Sequence, residues 1–438
     1  MGQPVDPETL LGGQTRPLTP GTEPQKWALR IPRPPRTRII VSSASLDNAT
    51  HRRHLEQMDR QLGSASETAR LFFAPGRVNL FGAHLDHNGG PVMPTAIHRG
   101  TLIAARPRSD RRMRMASTLG GEVLDADLTD LPTVAGGSWF DYPLGVLIEL
   151  LKGGSSTPQG LDLFFGGDLP IGAGLSSSAS ICVGTALALD ECWGLGVGRE
   201  GWVKAALQGE RGFVGVQCGI MDPHAVGFAK PGHLLWLDCK DGSFTHLPLD
   251  PDAVSIVVMD TGVKRKLAAG AFNQRVQECQ AAAKFLMPLS PGAECLRDVS
   301  EEVLAEHGVR MDPVLQRRAR HVIGEVQRTF QARDFLIQGD LTGAGALMVE
   351  SHESLRLDFE VSVPELDLLV DAIAKGEESF GGRLTGAGFG GCVVALVRRG
   401  QEEALRERAQ GWFVERFGRD PGFAVFLGDE GPRELPLS

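Results

Sequence analysis

The chain has 438 residues, of which 42% are hydrophobic and 23% are charged. This is the balance of a globular protein with a full core, and the length suits one large domain or two of medium size. A formal net charge of −9 argues against a nucleic acid or an anionic membrane as partner. No apolar run reaches the roughly 18 residues of a membrane-spanning helix.

The cysteines and the amino-terminal segment indicate the cell compartment. Seven cysteines stand at wide spacings with no CxxC pair, which is typical of reduced thiols rather than of a disulfide framework or a zinc site. Residues 1–37 are rich in Pro, Gly and Thr and lack the apolar core of a secretory signal, so we expect a flexible extension. A cytoplasmic protein, monomeric or homodimeric, is expected.

The apolar pattern predicts a mixture of strands and helices without regular βαβ alternation, which favours the α+β class. Strands are predicted at 71–76, 101–106, 161–165, 234–238, 254–259, 392–397 and 423–427. Helices are predicted at 46–70, 141–152, 179–193, 201–211, 269–287, 313–333, 336–352, 364–375 and 401–416. A glycine-rich loop is expected at 381–391.

The segment 170–180, with the sequence PIGAGLSSSAS, leads into the predicted helix 179–193. Glycines at a helix N-terminus present free backbone N–H groups and the positive end of the helix dipole to an anion, and a serine is expected to cap the helix. The segment lacks the Gly-Lys-Ser/Thr of a Walker A loop and the third glycine of a dinucleotide-binding fingerprint. We predict phosphate binding by Pro170, Gly172, Ala173, Gly174, Leu175, Ser176, Ser177 and Ser178.

Three segments in this order, 73–90, 170–180 and 384–392, resemble the three motifs of the GHMP kinases. The first, with APGRVNLFGAHLDHNGG, resembles the sugar signature of the galactokinase branch, as do residues 218–222 and 317–325. The resemblance implies the two-domain GHMP kinase fold, with the active site between the domains. A ribosomal-protein-S5-like N-terminal domain would span 38–250 and a ferredoxin-like C-terminal domain 251–438.

The same resemblance implies an ATP- and Mg²⁺-dependent kinase that phosphorylates the anomeric hydroxyl of a small-molecule sugar. Asp222 would be the catalytic base, with Arg77 beside it, and Ser178 and Glu210 would hold Mg²⁺. The sugar-binding residues implied are Ala83, His84, Asp86, Gly219, Asp222 and Phe272. A closing loop would include Gly386, Gly388 and Gly390.

The chain departs from galactokinases at three positions, two in the sugar signature and one in the C-terminal half. Ala83 stands where they usually carry glutamate, and His87 and Phe272 stand where they carry tyrosine. In the family that glutamate contacts the C6 hydroxyl, and facing a C6 carboxylate it would cost about 4 kcal/mol at ~4 Å and an effective dielectric near 20. The signature therefore resembles plant galacturonokinases most closely.

Galacturonate is the favoured substrate, with galactose next and arabinose left open. A different class, a catalytically silent sugar and ATP sensor, is disfavoured because the serine loop and Asp222 are both present.

Overall fold

The computed structural model describes residues 47–65, 67–153, 158–169, 174–216, 218–263 and 268–437. The amino-terminal extension expected at 1–37 lies outside these ranges. All described residues belong to one compact unit. Within them, no helix is at once long and apolar enough to cross a membrane.

Two β-sheets organise the described residues. The larger has eight strands, with the order β12-β1-β2-β5-β3-β4 and with β6 pairing to β2 and β7 to β6; the smaller has the order β11-β8-β10-β9. All pairs are antiparallel except β3 with β5, so the predicted α+β class is confirmed. The strands are β1 (Arg70–Phe81), β2 (Pro91–Pro107), β3 (Arg112–Ser117), β4 (Leu124–Asp127), β5 (Leu161–Gly167), β6 (His233–Asp238), β7 (Phe244–Pro248), β8 (Val254–Asp260), β9 (Ser379–Thr385), β10 (Cys392–Arg398), β11 (Gly422–Phe426) and β12 (Arg433–Leu435).

Eleven α-helices cover these sheets in the described ranges. They are α1 (Asn48–Leu62), α2 (Asp141–Leu151), α3 (Ser177–Trp193), α4 (Gly198–Gln208), α5 (Met221–Gly227), α6 (Ala268–Leu286), α7 (Glu301–His307), α8 (Pro313–Ile337), α9 (Leu341–Leu357), α10 (Pro364–Ala374) and α11 (Glu402–Phe417). One apolar core joins the larger sheet to α2, α3 and α4, and another joins the smaller sheet to α6 and α8–α11. Each fully buried Leu or Phe contributes about 1.5–3 kcal/mol to these cores.

A bulge in β1 positions the first motif. The β1–β2 register shifts between Pro75 and Gly76, and the next residue, Arg77, donates its backbone N–H to the Leu175 carbonyl at 3.1 Å. A Cβ at Gly76 would lie 2.7 Å from that same carbonyl oxygen, so only glycine allows this approach. The bulge therefore brings β1 against the segment that precedes α3.

Several predicted boundaries are wrong. The first helix ends at Leu62 rather than at residue 70, where β1 already begins. Three further boundaries differ for a local reason. The first strand does not end at residue 76, because the bulge lets β1 continue to Phe81. The break between α8 and α9 lies at 338–340 rather than 334–335, because Gly339 has φ 75° and Asp340 caps α9 by accepting from Gly343 N. The expected glycine-rich loop begins instead as strand β9.

The glycines of β9 serve packing. A Cβ at Gly381 would collide with the backbone of Gly345 on α9, and a Cβ at Gly345 would collide with the backbone of Phe380. Helix and strand therefore touch backbone to backbone at this point.

This contact predicts opposite effects for two glycine-to-alanine substitutions inside helices. Gly345→Ala should lower the free energy of unfolding by about 1–3 kcal/mol, because the new methyl group overpacks the α9–β9 contact. Gly411→Ala, on the exposed face of α11 with open space around it, should raise it by about 0.5–1 kcal/mol through helix propensity. Denaturant unfolding of both variants checks this, and a stable Gly345→Ala would contradict the packing account.

Candidate active site

The centre of the candidate site is an ion pair between two motifs. Arg77 Nε and Nη2 each lie 2.8 Å from an oxygen of Asp222, in the first turn of α5, and Nη1 donates to the Gly174 carbonyl at 2.7 Å. The Arg77 side chain is 6% exposed and that of Asp222 is 28% exposed. The guanidinium therefore fixes the carboxylate in one orientation while leaving it open to the adjacent cavity.

The residues of the segment 170–178, which are predicted to bind phosphate, lie next to this pair where the structure describes them. Gly174 and Ser176 both have positive φ, 80° and 59°, and α3 begins directly after them. The Ser176 hydroxyl donates to Asp222 Oδ2 at 2.5 Å. The predicted serine cap is therefore wrong, because this hydroxyl is directed to the carboxylate instead of to the helix backbone. Pro170, Gly172 and Ala173 lie outside the described residues.

Glu210 lies in a π-helical turn, Gly209–Val214, that follows α4. Such wide turns are frequent at functional sites. Its side chain is buried beside Ser178, and the residue is 2% exposed. Burial raises the pKa of Glu210 to about 7 against a hydrogen bond from Ser178, and the charge of Asp222 acts in the same direction as burial. A carboxylate and a hydroxyl thus meet at the start of α3.

The sugar signature forms a tight turn after β1. His84 has φ 58°, its carbonyl accepts from Asn88 Nδ2 at 2.8 Å, and Asp86 lies in the short 3₁₀ turn that follows. The carboxylate of Asp86 packs against Gly219, where a Cβ would collide with it. Gly219 therefore belongs to the site because it leaves room for Asp86.

Two histidines in this turn have opposite electrostatic surroundings. Burial lowers the pKa of His87, but its Nδ1 lies 3.2 Å from Asp86 Oδ1, and this pairing contributes to a net rise to about 9. Burial, followed by the neighbouring His87, lowers the pKa of His84 well below its usual value. Phe272 faces both rings, with centroids 5.9 Å from His84 and 5.6 Å from His87. A neutral and a cationic imidazole therefore stand side by side.

Two cavities open on these groups. The first, which we call the polar cavity, has a volume of about 490 Å³. It is lined by Arg77, Asn79, Ala83, His84, Asp86, Tyr142, Ser178, Glu210, Gly215, Val216, Cys218, Gly219, Met221, Asp222, Phe272, Asn273, Arg383, Gly386 and Ala387. The second, the aromatic cavity, has a volume of about 310 Å³. It is lined by Gly100, Thr101, Ser117, Thr118, Leu119, Trp139, Tyr142, Phe165, Gly166, Gly167, Leu169, Ser177, Ser178 and Ile181.

The two cavities share Tyr142 and Ser178. A ligand in the aromatic cavity can therefore reach a ligand in the polar cavity across the N-terminus of α3. All of the residues predicted to bind sugar line the polar cavity, as do the predicted base, its arginine and the predicted metal ligands.

The third motif contributes only its first part to the polar cavity. Gly386 lines it, whereas Gly388 and Gly390 pack so closely on Val361 and Val263 that a Cβ at either would collide with them. The structure thus places Gly386 at the polar cavity and the other two glycines outside its lining, while the closing of this loop stays a prediction.

Several lining residues escaped the sequence analysis. The aromatic cavity uses Trp139, Tyr142 and Phe165, which stand outside the three motifs. Tyr142 is the only tyrosine in the sequence, and this rarity could have marked it as a candidate site residue. In the polar cavity, Arg383 directly precedes the third motif, and its position next to that motif was a usable signal.

Comparison with known proteins identifies the class first. The family models of the GHMP kinase N-terminal domain and C-terminal domain match residues 141–230 and 332–415. The model of the galactokinase galactose-binding signature matches residues 60–107. The crystal structure of Methanococcus jannaschii mevalonate kinase shares the fold, with a TM-score of 0.59 at 19% identity over 83% of this chain and 100% of that one. The fold is that of a GHMP kinase.

Relatives with higher sequence identity show which branch of the GHMP kinases the chain belongs to. The galactokinase of Roseiflexus sp. (strain RS-1) is 42% identical over 360 residues, 82% of this chain and 91% of that protein. The galactokinase of Exiguobacterium sibiricum is 38% identical, over 87% of this chain and 97% of that protein. Lactococcus lactis galactokinase, solved in complex with galactose, superimposes with a TM-score of 0.83 at 33% identity, covering 88% and 100% of the two chains. The chain belongs to the galactokinase family.

The raised pKa of Glu210 predicts a pH-dependent stability in the absence of ligands. Unfolded Glu titrates near 4.5 and folded Glu210 near 7, so between these values folding takes up a proton and the free energy of unfolding falls as pH rises. The Glu210→Gln variant has no carboxylate to titrate at this position. Its free energy of unfolding, relative to that of the wild type, should therefore rise by up to ~3 kcal/mol between pH 5 and 8.

Denaturant unfolding at the two pH values measures the difference. Glu200→Gln, at an exposed position on α4, serves as the control. A Glu210→Gln effect of the same size at both pH values would contradict the assigned environment.

Proposed function

We propose that the chain transfers the γ-phosphoryl group of ATP to the anomeric hydroxyl of a galactose-configured sugar, with galactose as the first substrate. The observation that carries this proposal is the meeting of the two cavities at Ser178, directly beside the Arg77–Asp222 pair. A phosphoryl transfer needs two ligands held end to end with a base on the acceptor side, and this arrangement supplies that geometry.

Asp222 is the proposed base. In the proposed reaction it accepts the proton of the anomeric hydroxyl while that oxygen bonds to the γ-phosphorus and the bond to the ADP oxygen breaks. Arg77 holds the Asp222 carboxylate in position through Nε and Nη2, and in the proposed reaction the positive charge of Arg77 faces the transferring phosphoryl group. No covalent intermediate with the protein is required.

The phosphates are proposed to lie on the start of α3, on backbone N–H groups of the Gly174–Ser178 segment. Ser178 and Glu210 are suited to hold Mg²⁺, because a hydroxyl and a buried carboxylate at one point form a hard oxygen site. The ion, when bound, neutralises phosphate charge. The aromatic cavity, with Trp139 and Phe165 in edge-to-face contact at 5.3 Å, is proposed to receive the adenine.

Replacement of the base tests the proposed reaction. Asp222→Asn should reduce kcat for galactose by at least about 1,000-fold, because the amide cannot accept the proton, while ATP still binds with near wild-type affinity. Coupled ADP release and calorimetric ATP binding measure the two quantities.

The exposed Asp241→Asn variant is the matched control for that experiment and should be fully active. Retention of wild-type kcat by Asp222→Asn would refute the assigned base. A wild-type protein that binds sugar and ATP but transfers no phosphate would favour the silent sensor instead.

Galacturonate is a second candidate substrate, and specific features of the polar cavity and its surroundings support it. The wall at Ala83 carries no carboxylate, and Arg383, whose buried guanidinium donates to backbone carbonyls, lines the same cavity. The cationic His87 stands behind Asp86. Similarity to galactokinases supports galactose as the substrate of this chain. The two positive groups and the missing carboxylate support an acidic sugar.

A pair of substitutions at Ala83 separates the two candidates. Ala83→Glu should lower kcat/KM for galacturonate relative to galactose by about 100-fold, because the new carboxylate repels that of the substrate. Ala83→Gln, equal in size but neutral, should change the ratio far less. ADP release with galactose, galacturonate and arabinose measures the ratio. If Ala83→Glu and Ala83→Gln change it equally, charge at this position does not select the sugar.

A further inference from the structure

The backbone of residue 83 is held by two side chains of one helix, α8, which lies in the same apolar core. The Ala83 backbone N–H donates to Glu325 Oε1 at 2.9 Å, and the Ala83 carbonyl lies 3.2 Å from His321 Nε2. Glu325 and His321 are four residues apart on α8 and therefore share a face of that helix. Glu325 is 1% exposed and His321 is fully buried. Both backbone polar groups of Ala83, its N–H and its carbonyl, are thus satisfied by α8.

These two side chains are themselves fixed by hydrogen bonds. Glu325 accepts from Ser351 Oγ at 2.8 Å through Oε1 and from Arg328 Nε at 2.9 Å through Oε2. His321 Nδ1 lies 2.9 Å from Ser354 Oγ. Burial lowers the pKa of His321 to about 4, so the ring is neutral and its single N–H faces the Ala83 carbonyl. The contacts to Ala83 are therefore rigid.

The residue that this arrangement holds is the next one, His84. Its φ of 58° is a left-handed conformation that a non-glycine residue keeps only when its surroundings impose it. The Phe359 ring lies between the two imidazoles, with its centroid 4.7 Å from that of His84 and 4.5 Å from that of His321. His84 Nε2 has no hydrogen-bond partner among the described residues, although the atom is buried and the side chain lines the polar cavity.

We propose that Glu325 and His321 act as positioning residues for sugar binding: together they clamp the backbone N–H and carbonyl of Ala83 and so hold His84 in the orientation that binds the substrate. The proposal rests on the proposed function of the polar cavity as the sugar site. It gives a role to the segment 317–325, which the phosphate-transfer chemistry itself does not use. A hydrogen-bonding group displaced by even about 1 Å binds its partner poorly, so loss of the clamp acts on the sugar and not on the nucleotide.

A purely structural role for these residues makes a different prediction. It would lower stability and the fraction of folded protein, while each folded molecule would bind both substrates normally. The clamp instead predicts a split between the two Michaelis constants. Two variants that nearly keep the volume of the side chain test it. Glu325→Met removes the acceptor of the Ala83 N–H, and His321→Phe keeps the ring beside Phe359 but removes the donor to the Ala83 carbonyl.

The experiment measures KM for galactose and for ATP, together with the imidazole NMR signals of His84 in the free protein. Both variants should raise KM for galactose about 10-fold or more and leave KM for ATP within about twofold, with His84 signals displaced from their wild-type positions. The matched control is Asp162→Asn, which removes another buried carboxylate charge, one held by Arg106, Arg108 and Arg114 at the far end of β5. It should lower the melting temperature without moving either Michaelis constant or the His84 signals.

Three results would overturn the clamp. The first is an unchanged KM for galactose in folded Glu325→Met and His321→Phe. The second is an equal rise in both Michaelis constants, and the third is His84 signals that stay at their wild-type positions. The NMR measurement tests the clamp even if the wild-type protein turns over no sugar. Absence of turnover would refute the proposed function but not the clamp. A variant that does not fold would be replaced by Ser351→Ala, which removes one hydrogen bond to Glu325 and should produce the same split with a smaller amplitude.

Discussion

The contact between Arg77 and Asp222 is the interaction on which the rest of the site depends. It joins β1 to the first turn of α5, and through the Gly174 carbonyl it also joins both to the segment before α3. The approach is possible because the β1 bulge at Gly76 lets this strand lie against the segment before α3. A buried guanidinium needs acceptors for its N–H groups, and here the acceptors come from parts of the chain that are far apart in sequence.

The sequence predicted most of what depends on local pattern. The α+β class and the core of nearly every long helix follow from apolar periodicity, and the motifs named Asp222, Glu210 and the sugar turn, which the structure brings into one cavity. The errors are local as well. The Pro75-Gly76 pair predicts the end of a strand but forms a bulge within β1, and the Ser176 hydroxyl binds Asp222 instead of capping α3.

Features that depend on tertiary contacts could not be read from the sequence. No sequence pattern near residue 83 shows that its backbone N–H and carbonyl are hydrogen-bonded by residues 325 and 321. These positions meet only because α8 packs across the sugar turn. The raised pKa of Glu210 depends on how deeply it is buried, and that of His87 on a pairing with Asp86 inside the fold. The aromatic cavity is likewise assembled from separate strands and a helix, with no motif of its own.

The central claim is that the two cavities carry out transfer of phosphate to the anomeric oxygen of a sugar. The most direct measurement is ³¹P NMR of a reaction containing the full chain, ATP, Mg²⁺ and galactose. The account predicts a sugar 1-phosphate whose phosphorus signal is coupled to the anomeric proton, formed in equal amount with ADP. Release of inorganic phosphate alone, or a phosphate ester at another hydroxyl, would contradict it.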